Sequence, residues 1–252
     1  MSGSGRLAGK VALVTGGSRG LGRGIAEGFA AEGAKIVVNY VKDAGAAGSV
    51  VERVKSEGGN ALAIQADVGD AQSVENMIRH AVGAFGTIDI LVNNAGLLNS
   101  MRLDQMPIEV WDEMIRTHLR GMFLCTRFAI PHMVAQKSGN VINMTGTFGV
   151  SGGAEFAHLS AAKAGMIGFT KALAREVGPD GIRVNAIAPA IIRTDLYNHM
   201  PDEVRDAIVA TYPLRRVGEV EDVVGCALFL ATKDSAFVTG QTLCPAGGDV
   251  MI

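Results

Sequence analysis

The segment VTGGSRGLG, residues 14–22, has the residue types and the spacing to hold a pyrophosphate. Its glycines follow the pattern G-x-x-x-G-x-G between an apolar run and an amphipathic stretch. Glycine permits positive φ angles and lets backbone amides approach a phosphate, and a helix that begins behind the turn adds partial positive charge. A dinucleotide is therefore predicted to bind along Gly16, Ser18, Arg19, Gly20, Leu21 and Gly22.

The residues near the second apolar run bear on the identity of the nucleotide. Sites for NAD place a carboxylate there to bind the ribose diol, whereas this chain has Asn39 and Tyr40. Arg19 lies inside the turn and Lys42 follows the run, and a guanidinium matches the geometry of a phosphate. We therefore expect Asn39 to lie at the cofactor and NADP(H) to be favoured over NAD(H). An ordinary solvated loop charge is the alternative for Arg19.

The elements that must position this turn are indicated by apolar runs that alternate with amphipathic stretches. Predicted strands cover residues 11–15, 35–40, 61–65, 88–93, 141–145 and 182–188, with a weaker seventh at 241–246. Several are apolar throughout, as expected for parallel strands covered on both faces. One helical stripe runs along Val74, Met77, Ile78, Ala81, Val82 and Phe85. The pattern predicts an α/β, single-domain Rossmann fold with a doubly wound parallel sheet of about seven strands.

Composition limits the class of protein. The 252 residues, 48% of them hydrophobic, are enough for one large domain, and no linker divides residues 1–252. The net charge of −2 gives no basic footprint for nucleic acid, and no apolar run approaches the length of about 18 residues that a membrane span needs. Three widely spaced cysteines fit reduced thiols better than a disulfide frame or a metal site. We expect a soluble, cytoplasmic protein that binds a small-molecule substrate, with no metal, nucleic acid or membrane partner.

Several segments, in order along nearly the whole chain, resemble the short-chain dehydrogenase/reductase family. TGGSRGLG (15–22) is similar to its cofactor turn, ADV (66–68) to its adenine-contacting segment and NNAG (93–96) to its fourth-strand signature. IRVNAIAPAIIRT (182–194) is similar to the segment after its sixth strand. The resemblance implies further cofactor contacts at Asp67, Val68, Asn94, Ala95, Gly96, Lys163, Pro189, Ile192 and Thr194.

The resemblance also implies features outside the cofactor turn. It implies a substrate lid at about 190–215, which contains Tyr197 and His199. It implies a homotetramer formed through the regions 109–136 and 158–178 and the C-terminal segment.

Of the four catalytic positions that the resemblance implies, this chain keeps one. In the family an asparagine, a serine, a tyrosine and a lysine act together, and the tyrosine protonates the alkoxide that forms when hydride reaches a carbonyl. Here the corresponding residues are His118, Gly146, Leu159 and Lys163. The spacing from Gly149 to Lys163 is the one usual in the family, and no tyrosine lies between residues 40 and 197.

Two catalytic residues are predicted from this comparison of positions. Lys163 is expected to hold the nicotinamide ribose through its ammonium, with a snorkelling lysine as the alternative. His118 titrates near neutral pH as a free side chain and is expected to donate a proton. A buried histidine that packs and bonds to backbone is the alternative for His118.

The missing phenol bears on the reaction. Hydride transfer to a ketone places charge on oxygen at once and needs a poised acid, whereas reduction of a conjugated double bond spreads the charge into an enolate. The 2,4-dienoyl-CoA reductases similarly keep the lysine and lack a tyrosine in the usual place. NMTGTFGVSGGAEFAHLSAAKAG (143–165) looks like their segment, although AGLLNSM (95–101) departs from it.

We therefore expect an NADP(H)-dependent short-chain oxidoreductase that reduces an activated, conjugated C=C bond with His118 as the proton source. One alternative is a carbonyl reductase or alcohol dehydrogenase in which His118, Thr145 or Thr147 replaces the missing groups. The others are a nucleotide-binding pseudoenzyme and a redox-neutral enzyme.

Overall fold

The structure, a computed structural model, describes residues 5–194 and 202–252. Seven parallel strands form one sheet in the order β3-β2-β1-β4-β5-β6-β7. Their bounds are β1 Val11–Val14, β2 Lys35–Tyr40, β3 Asn60–Gln65, β4 Ile90–Asn93, β5 Gly139–Met144, β6 Ile182–Ile187 and β7 Thr242–Leu243. The predicted Rossmann fold is confirmed. The weak seventh strand is confirmed as a two-residue edge strand.

Helices cover both faces of this sheet. They are α1 Gly20–Ala31, α2 Ala44–Ser56, α3 Ala71–Phe85, α4 Ile108–Ile115, α5 Gly121–Gln136, α6 Phe148–Ser151, α7 Ala157–Val177, α8 Asp202–Val209 and α9 Val220–Ala231. Helices α1, α2 and α9 share one apolar core with the sheet, and α3, α5 and α7 share the other. Along β1, Val14 belongs to the first core and Leu13 to the second, so both faces of the strand are buried.

The strand order reverses between β1 and β4, which opens a cleft at their carboxyl ends. Val14 of β1 is opposite Val38 of β2 and Val92 of β4, so the three strands end at the same level. The residues that follow them therefore meet at one edge of the sheet, where the glycine turn begins.

A long helical region begins at Ile108 and is interrupted. A π-helical turn, Arg116–Arg120, joins α4 to α5. Such turns insert a residue into the helix and frequently lie at functional sites. Here the turn carries His118, which is buried.

A buried polar chain crosses the centre of the sheet. Asn93 Nδ2 donates to Asn143 Oδ1 at 2.8 Å and to Thr126 Oγ1 at 3.0 Å. Asn143 Nδ2 in turn donates to Thr170 Oγ1 at 2.8 Å, and this hydroxyl donates to the carbonyl of Met166. The chain joins β4 and β5 to helices α5 and α7. It thereby fixes α7, the helix that carries Lys163.

No helix among the described residues has the length and apolar character to cross a bilayer. The same residues, 5–194 and 202–252, contain no group of histidine, cysteine or carboxylate side chains arranged to hold a metal ion.

We predict that Asn143→Ala lowers the free energy of unfolding by about 1–3 kcal/mol, because it removes one of the two acceptors of the buried Asn93 amide and the donor to Thr170. Urea unfolding measures the change. Asn76→Ala, the same substitution on the exposed side of α3, should stay within about 0.5 kcal/mol of the native chain. Equal effects at both positions would contradict a structural role for the buried chain.

Candidate active site

The junction of β1 and β4 holds the glycine turn in place. Thr15 Oγ1 accepts from the backbone amides of Asn94 at 2.9 Å and Ala95 at 3.0 Å, and donates to the Val92 carbonyl. Asn94 Nδ2 donates back to the carbonyls of Thr15 at 2.9 Å and Gly16 at 3.1 Å. Asn94 and Ala95, predicted as cofactor residues, are therefore also the parts that fix the turn.

The turn itself has the form of an anion cradle. Gly16 and Gly20 adopt φ angles of 60° and 53°. A Cβ on Gly22 would lie 2.3 Å from the Gly16 carbonyl oxygen, so only glycine allows this approach. Among the described residues, nothing accepts from the backbone N–H groups of Gly20 and Leu21 at the start of α1. These free donors and the missing side chains fit a bound pyrophosphate.

The 182–194 segment closes this cradle from the other side. Thr194 Cγ2 lies 3.6 Å from the position that a Cβ of Gly20 would take. Ile192 is buried and pairs with Gly218 in an isolated parallel bridge. The Pro189 carbonyl accepts from Thr147 N at 3.2 Å. The structure thus brings Pro189, Ile192 and Thr194 to the same edge as the glycine turn, while Tyr197 and His199 lie outside the described residues.

The structure corrects the prediction for Asn39. This side chain is fully buried, at 0% exposure. Its Oδ1 accepts from Gly16 N at 3.1 Å and its Nδ2 donates to the Ala66 carbonyl at 3.0 Å. Asn39 therefore braces the glycine turn from below instead of facing a ribose.

Arg19, just before α1, and Asp67, just after β3, lie at the surface. Arg19 is exposed at the start of α1, and no described carboxylate pairs with it. The Asp67 carboxylate accepts from Arg116 Nη1 at 3.0 Å and from Gly69 N at 2.8 Å. Val68 is buried against Gly121 at the start of α5. Arg19 is therefore the cation of the turn that remains available to a phosphate.

Lys163 lies at the centre of the candidate site. It is only 9% exposed, and its Nζ donates to the Met144 carbonyl at the end of β5, at 2.7 Å. Burial disfavours the charged ammonium and lowers the pKa of Lys163 to about 7. The predicted lysine is thus at the carboxyl edge of the sheet, near the strand ends that hold the glycine turn.

Hydrocarbon surrounds helix α7 one turn before Lys163. Leu159, one helical turn before Lys163, is buried in a small apolar cluster with Met114 and Ala162. Phe148 and Phe156 pack against it and stack on each other with a centroid distance of 4.6 Å. We call Leu97, Met114, Ile115, Phe148, Phe156, Leu159 and Ala162 the Leu159 cluster. It contains no group that donates a proton.

Gly146 has space beside it for a side chain. A Cβ on Gly146 would meet only the Pro189 carbonyl oxygen, at 3.8 Å, so a serine side chain has room there. The neighbouring Thr145 hydroxyl is committed, because it donates to the Ile187 carbonyl at 2.9 Å. Gly146 therefore supplies no hydroxyl.

His118 reaches the site but is held by backbone. Its Nε2 lies 2.9 Å from the carbonyl oxygen and 3.1 Å from the nitrogen of Leu97. Burial, and then the charge of Lys163, lower the pKa of His118 to about 3, so the imidazole is neutral at physiological pH. Gly96 makes room for the ring, since a Cβ there would lie 2.4 Å from Cε1. This geometry favours the alternative in which His118 packs and bonds to backbone.

Comparison with known proteins gives the family. A family model described as Enoyl-(Acyl carrier protein) reductase matches residues 16–248. The 3-oxoacyl-[acyl-carrier-protein] reductase FabG of Staphylococcus epidermidis is 43% identical over 242 residues, which cover 96% of this chain and 99% of the relative. The chain belongs to the short-chain dehydrogenase/reductase family. It is an oxidoreductase of that family.

Two further relatives cover nearly the same length. The 3-oxoacyl-[acyl-carrier-protein] reductase of Synechocystis sp. is 44% identical over 246 residues, 97% of this chain and 98% of the relative. The (2S)-[(R)-hydroxy(phenyl)methyl]succinyl-CoA dehydrogenase subunit BbsD of Thauera aromatica is 39% identical over 239 residues, 95% and 96% of the two chains. Both names describe reactions at an oxygen-bearing carbon of an acyl thioester.

Sequence reasoning missed several parts of this site. Three features have no sequence motif: the contact of Asn39 with the glycine turn, the π-helical turn, and the Met144 carbonyl that accepts from Lys163. One signal was available for the Leu159 cluster. Phe148, Phe156 and Leu159 are apolar residues close to the lysine in a family segment that normally holds polar catalytic groups.

We predict that Gly22→Ala lowers the free energy of unfolding by about 1–3 kcal/mol through the clash with the Gly16 carbonyl, and weakens NADPH binding at least about tenfold. Gly48→Ala in α2 is the matched control, since a Cβ there meets nothing within 4 Å. It should stabilise the helix by about 0.5–1 kcal/mol and leave NADPH affinity unchanged. Urea unfolding and fluorescence titration separate the two. Unchanged binding in Gly22→Ala would contradict the cradle.

Proposed function

We propose that the chain is an NADP(H)-dependent reductase of an activated, conjugated C=C bond in an acyl thioester. The observation that carries the proposal is the Leu159 cluster, which surrounds position 159 with hydrocarbon. By the resemblance, that position belongs to the tyrosine that protonates an alkoxide, and positions 118, 146 and 159 of this chain do not carry the asparagine, serine and tyrosine that serve ketone reduction in the family. The glycine turn and Lys163 support binding of a nicotinamide nucleotide.

The physical argument concerns where charge develops. With its pyrophosphate bound at the turn, a reduced nicotinamide nucleotide would supply the hydride. If the acceptor is a ketone, charge appears on oxygen at once and must be met by a donor in the transition state. If the acceptor is a conjugated double bond, charge spreads into a thioester enolate and the proton follows later. Gly146 and Leu159 are compatible with the second case, because neither supplies a donor.

Reduction of a 3-oxoacyl thioester is the second candidate. Identities of 43% and 44% over nearly the full length to relatives named as 3-oxoacyl reductases favour it. It requires a substitute acid; the Thr145 hydroxyl donates to the Ile187 carbonyl, and the His118 imidazole is neutral with its Nε2 at the Leu97 backbone. A pseudoenzyme that binds nucleotide without turnover remains the third reading.

The test is a pair of thioesters of one chain length, a 2-enoyl and a 3-oxoacyl compound, offered with NADPH. We expect kcat/KM for the enoyl compound to exceed that for the oxoacyl compound by at least about 100-fold, the usual contribution of a positioned acid. NADPH absorbance measures both rates. Equal rates, or faster oxoacyl reduction, would overturn the proposal. Consumption of neither would favour the pseudoenzyme.

The double variant Gly146→Ser/Leu159→Tyr serves as the internal control of that experiment. It places a hydroxyl in the open position at Gly146 and a phenol one turn before Lys163. We expect it to raise oxoacyl reduction while the thermal midpoint shows that the chain remains folded. If a folded double variant gains nothing, the assignment of these two catalytic positions fails.

NADP(H) is proposed over NAD(H) because Arg19 is exposed beside the turn and no described residue pairs with it. Arg23 on the same helix is different, because its Nε donates to Glu27 Oε1 at 2.8 Å. These two arginines provide a matched pair for a test of phosphate recognition.

We predict that Arg19→Ala weakens NADPH binding about 10- to 100-fold, as expected for loss of a charge-assisted phosphate contact, and changes NADH binding less than about threefold. Arg23→Ala should leave both affinities near their native values. Fluorescence titration with each nucleotide measures the difference. Equal losses of NADPH and NADH affinity in Arg19→Ala would argue against a 2′-phosphate contact.

The homotetramer stays a proposal. Exposed apolar side chains support an interface along α4 and α5, where Ile108, Trp111 and Phe123 are 73%, 36% and 46% exposed. Phe237, Met251 and Ile252 are likewise exposed near the C-terminus. Apolar surface of this kind is typical of association sites.

A further inference from the structure

We propose that Lys163 itself donates the proton that completes the reduction, a role that rests on the proposed function and goes beyond holding the ribose. The assignment rests on the burial of Lys163, on the hydrogen-bond partners of its ammonium and on the charges that face it.

The Lys163 ammonium has three N–H donors, and the Met144 carbonyl accepts one of them. Among the described residues, no carboxylate pairs with Lys163. The Thr145 hydroxyl donates to the Ile187 carbonyl, and the His118 imidazole is neutral, with its Nε2 at the Leu97 backbone and no described partner for its Nδ1. A hydroxyl and a neutral imidazole are weaker acids than an ammonium, so Lys163 is a stronger acid than either of these groups.

Within residues 5–194 and 202–252, no anionic group is seen to pair with Lys163. On the side of β5 it meets the Met144 carbonyl, and on the side of α6 it packs against Gly149, whose Cβ position lies 2.8 Å from Lys163 Cβ. The π-helical turn contributes His118, which is neutral. On α7 itself, His158 gives its Nε2 to Asn99 Oδ1 at 2.6 Å, and burial lowers its pKa as well.

This environment suits an acid that works near neutral pH. An ammonium in water is a weak acid, with a pKa of about 10.4. Burial lowers the pKa of Lys163 to about 7. A group whose pKa lies near the working pH is both populated in its acid form and ready to release the proton. In this proposal, the desolvated lysine takes over the role of acid that the phenol has in the family.

The step balances as follows for a 2-enoyl thioester. The reduced nicotinamide, when bound, would supply a hydride with its two electrons, and a C–H bond would form at the β carbon. The π electrons move into the thioester as an enolate. One N–H bond of Lys163 then breaks and a C–H bond forms at the α carbon. The neutral amine regains its proton from water.

The first test needs neither cofactor nor acceptor. The protein is labelled with ¹³C at lysine Cε, and the Lys163 signal is identified by its loss in Lys163→Arg. We expect this signal to titrate with a midpoint near the pKa of about 7 that burial gives Lys163. Lys171, exposed on the same helix, supplies a solvated lysine signal for comparison in the same spectra. A Lys163 midpoint above about 9 would overturn the proposal, because the ammonium would then be too weak an acid.

The second test uses turnover of the enoyl thioester. Lys163→Ala should lower kcat by at least about 100-fold, and added alkylamines should restore it in proportion to the acidity of their ammonium forms. Lys171→Ala should keep the native rate. The native kcat should fall as pH rises through about 7, since only the protonated lysine donates.

The outcomes separate this role from the proposed function. Native turnover with amine rescue that ignores acidity overturns the proton donor and leaves the reductase intact, because a ribose anchor needs only charge. No native turnover on any thioester overturns both. A pH-independent native rate with a normal Lys163 midpoint overturns the donor role alone.

Discussion

Everything at the candidate site depends on how the ends of β1 and β4 are tied together. Thr15 Oγ1 joins three backbone groups of β4 and the residues after it, and the Asn94 side chain returns two bonds to β1. These bonds lie at the carboxyl ends of β1 and β4, where the strand order reverses and the sheet leaves a cleft. They convert an open cleft into a rigid support for the glycine turn. Asn39 adds a third fixed point from β2.

The support for the turn and the proposed catalytic positions are built by different elements. The turn needs glycine at position 22 for close approach and a helix start for its free amides, and both are present. The acid machinery depends instead on side chains from β5 and α7, which have no part in holding the turn. A leucine at position 159 therefore leaves the cofactor cradle intact. The two halves of the site can change independently because different elements build them.

The sequence predicted the sheet well because its strands are continuous apolar runs between glycine-rich ends. The bounds of β2 agree, and those of the other long strands differ by one or two residues. The stripe of Val74, Met77, Ile78 and Ala81 is confirmed as the buried face of α3. The sequence did not indicate that the Asn39 side chain is buried beneath the turn, for a physical reason. In a strand buried on both faces, no polar alternation indicates which way a side chain points.

The interior of the site was less accessible to sequence reasoning. The π-helical turn at 116–120 depends on backbone bonds that apolar spacing does not encode. The partner of Lys163 is a backbone carbonyl 19 residues earlier, and any residue type at position 144 would offer the same oxygen. The position of Leu159 came from resemblance, whereas its packing against Met114 and the stacked phenylalanines required coordinates.

The packing around Leu159 affects the pKa of Lys163 because it excludes solvent from the lysine. Leu159 and Lys163 lie one turn apart on α7, so an apolar cluster at Leu159 also removes solvent from the side of the lysine. A phenol in that place would have offered the ammonium a polar neighbour. Hydrocarbon instead makes the charged form of Lys163 costly and its proton easier to release. In the proposed mechanism, the apolar residue at position 159 therefore makes Lys163 the stronger acid.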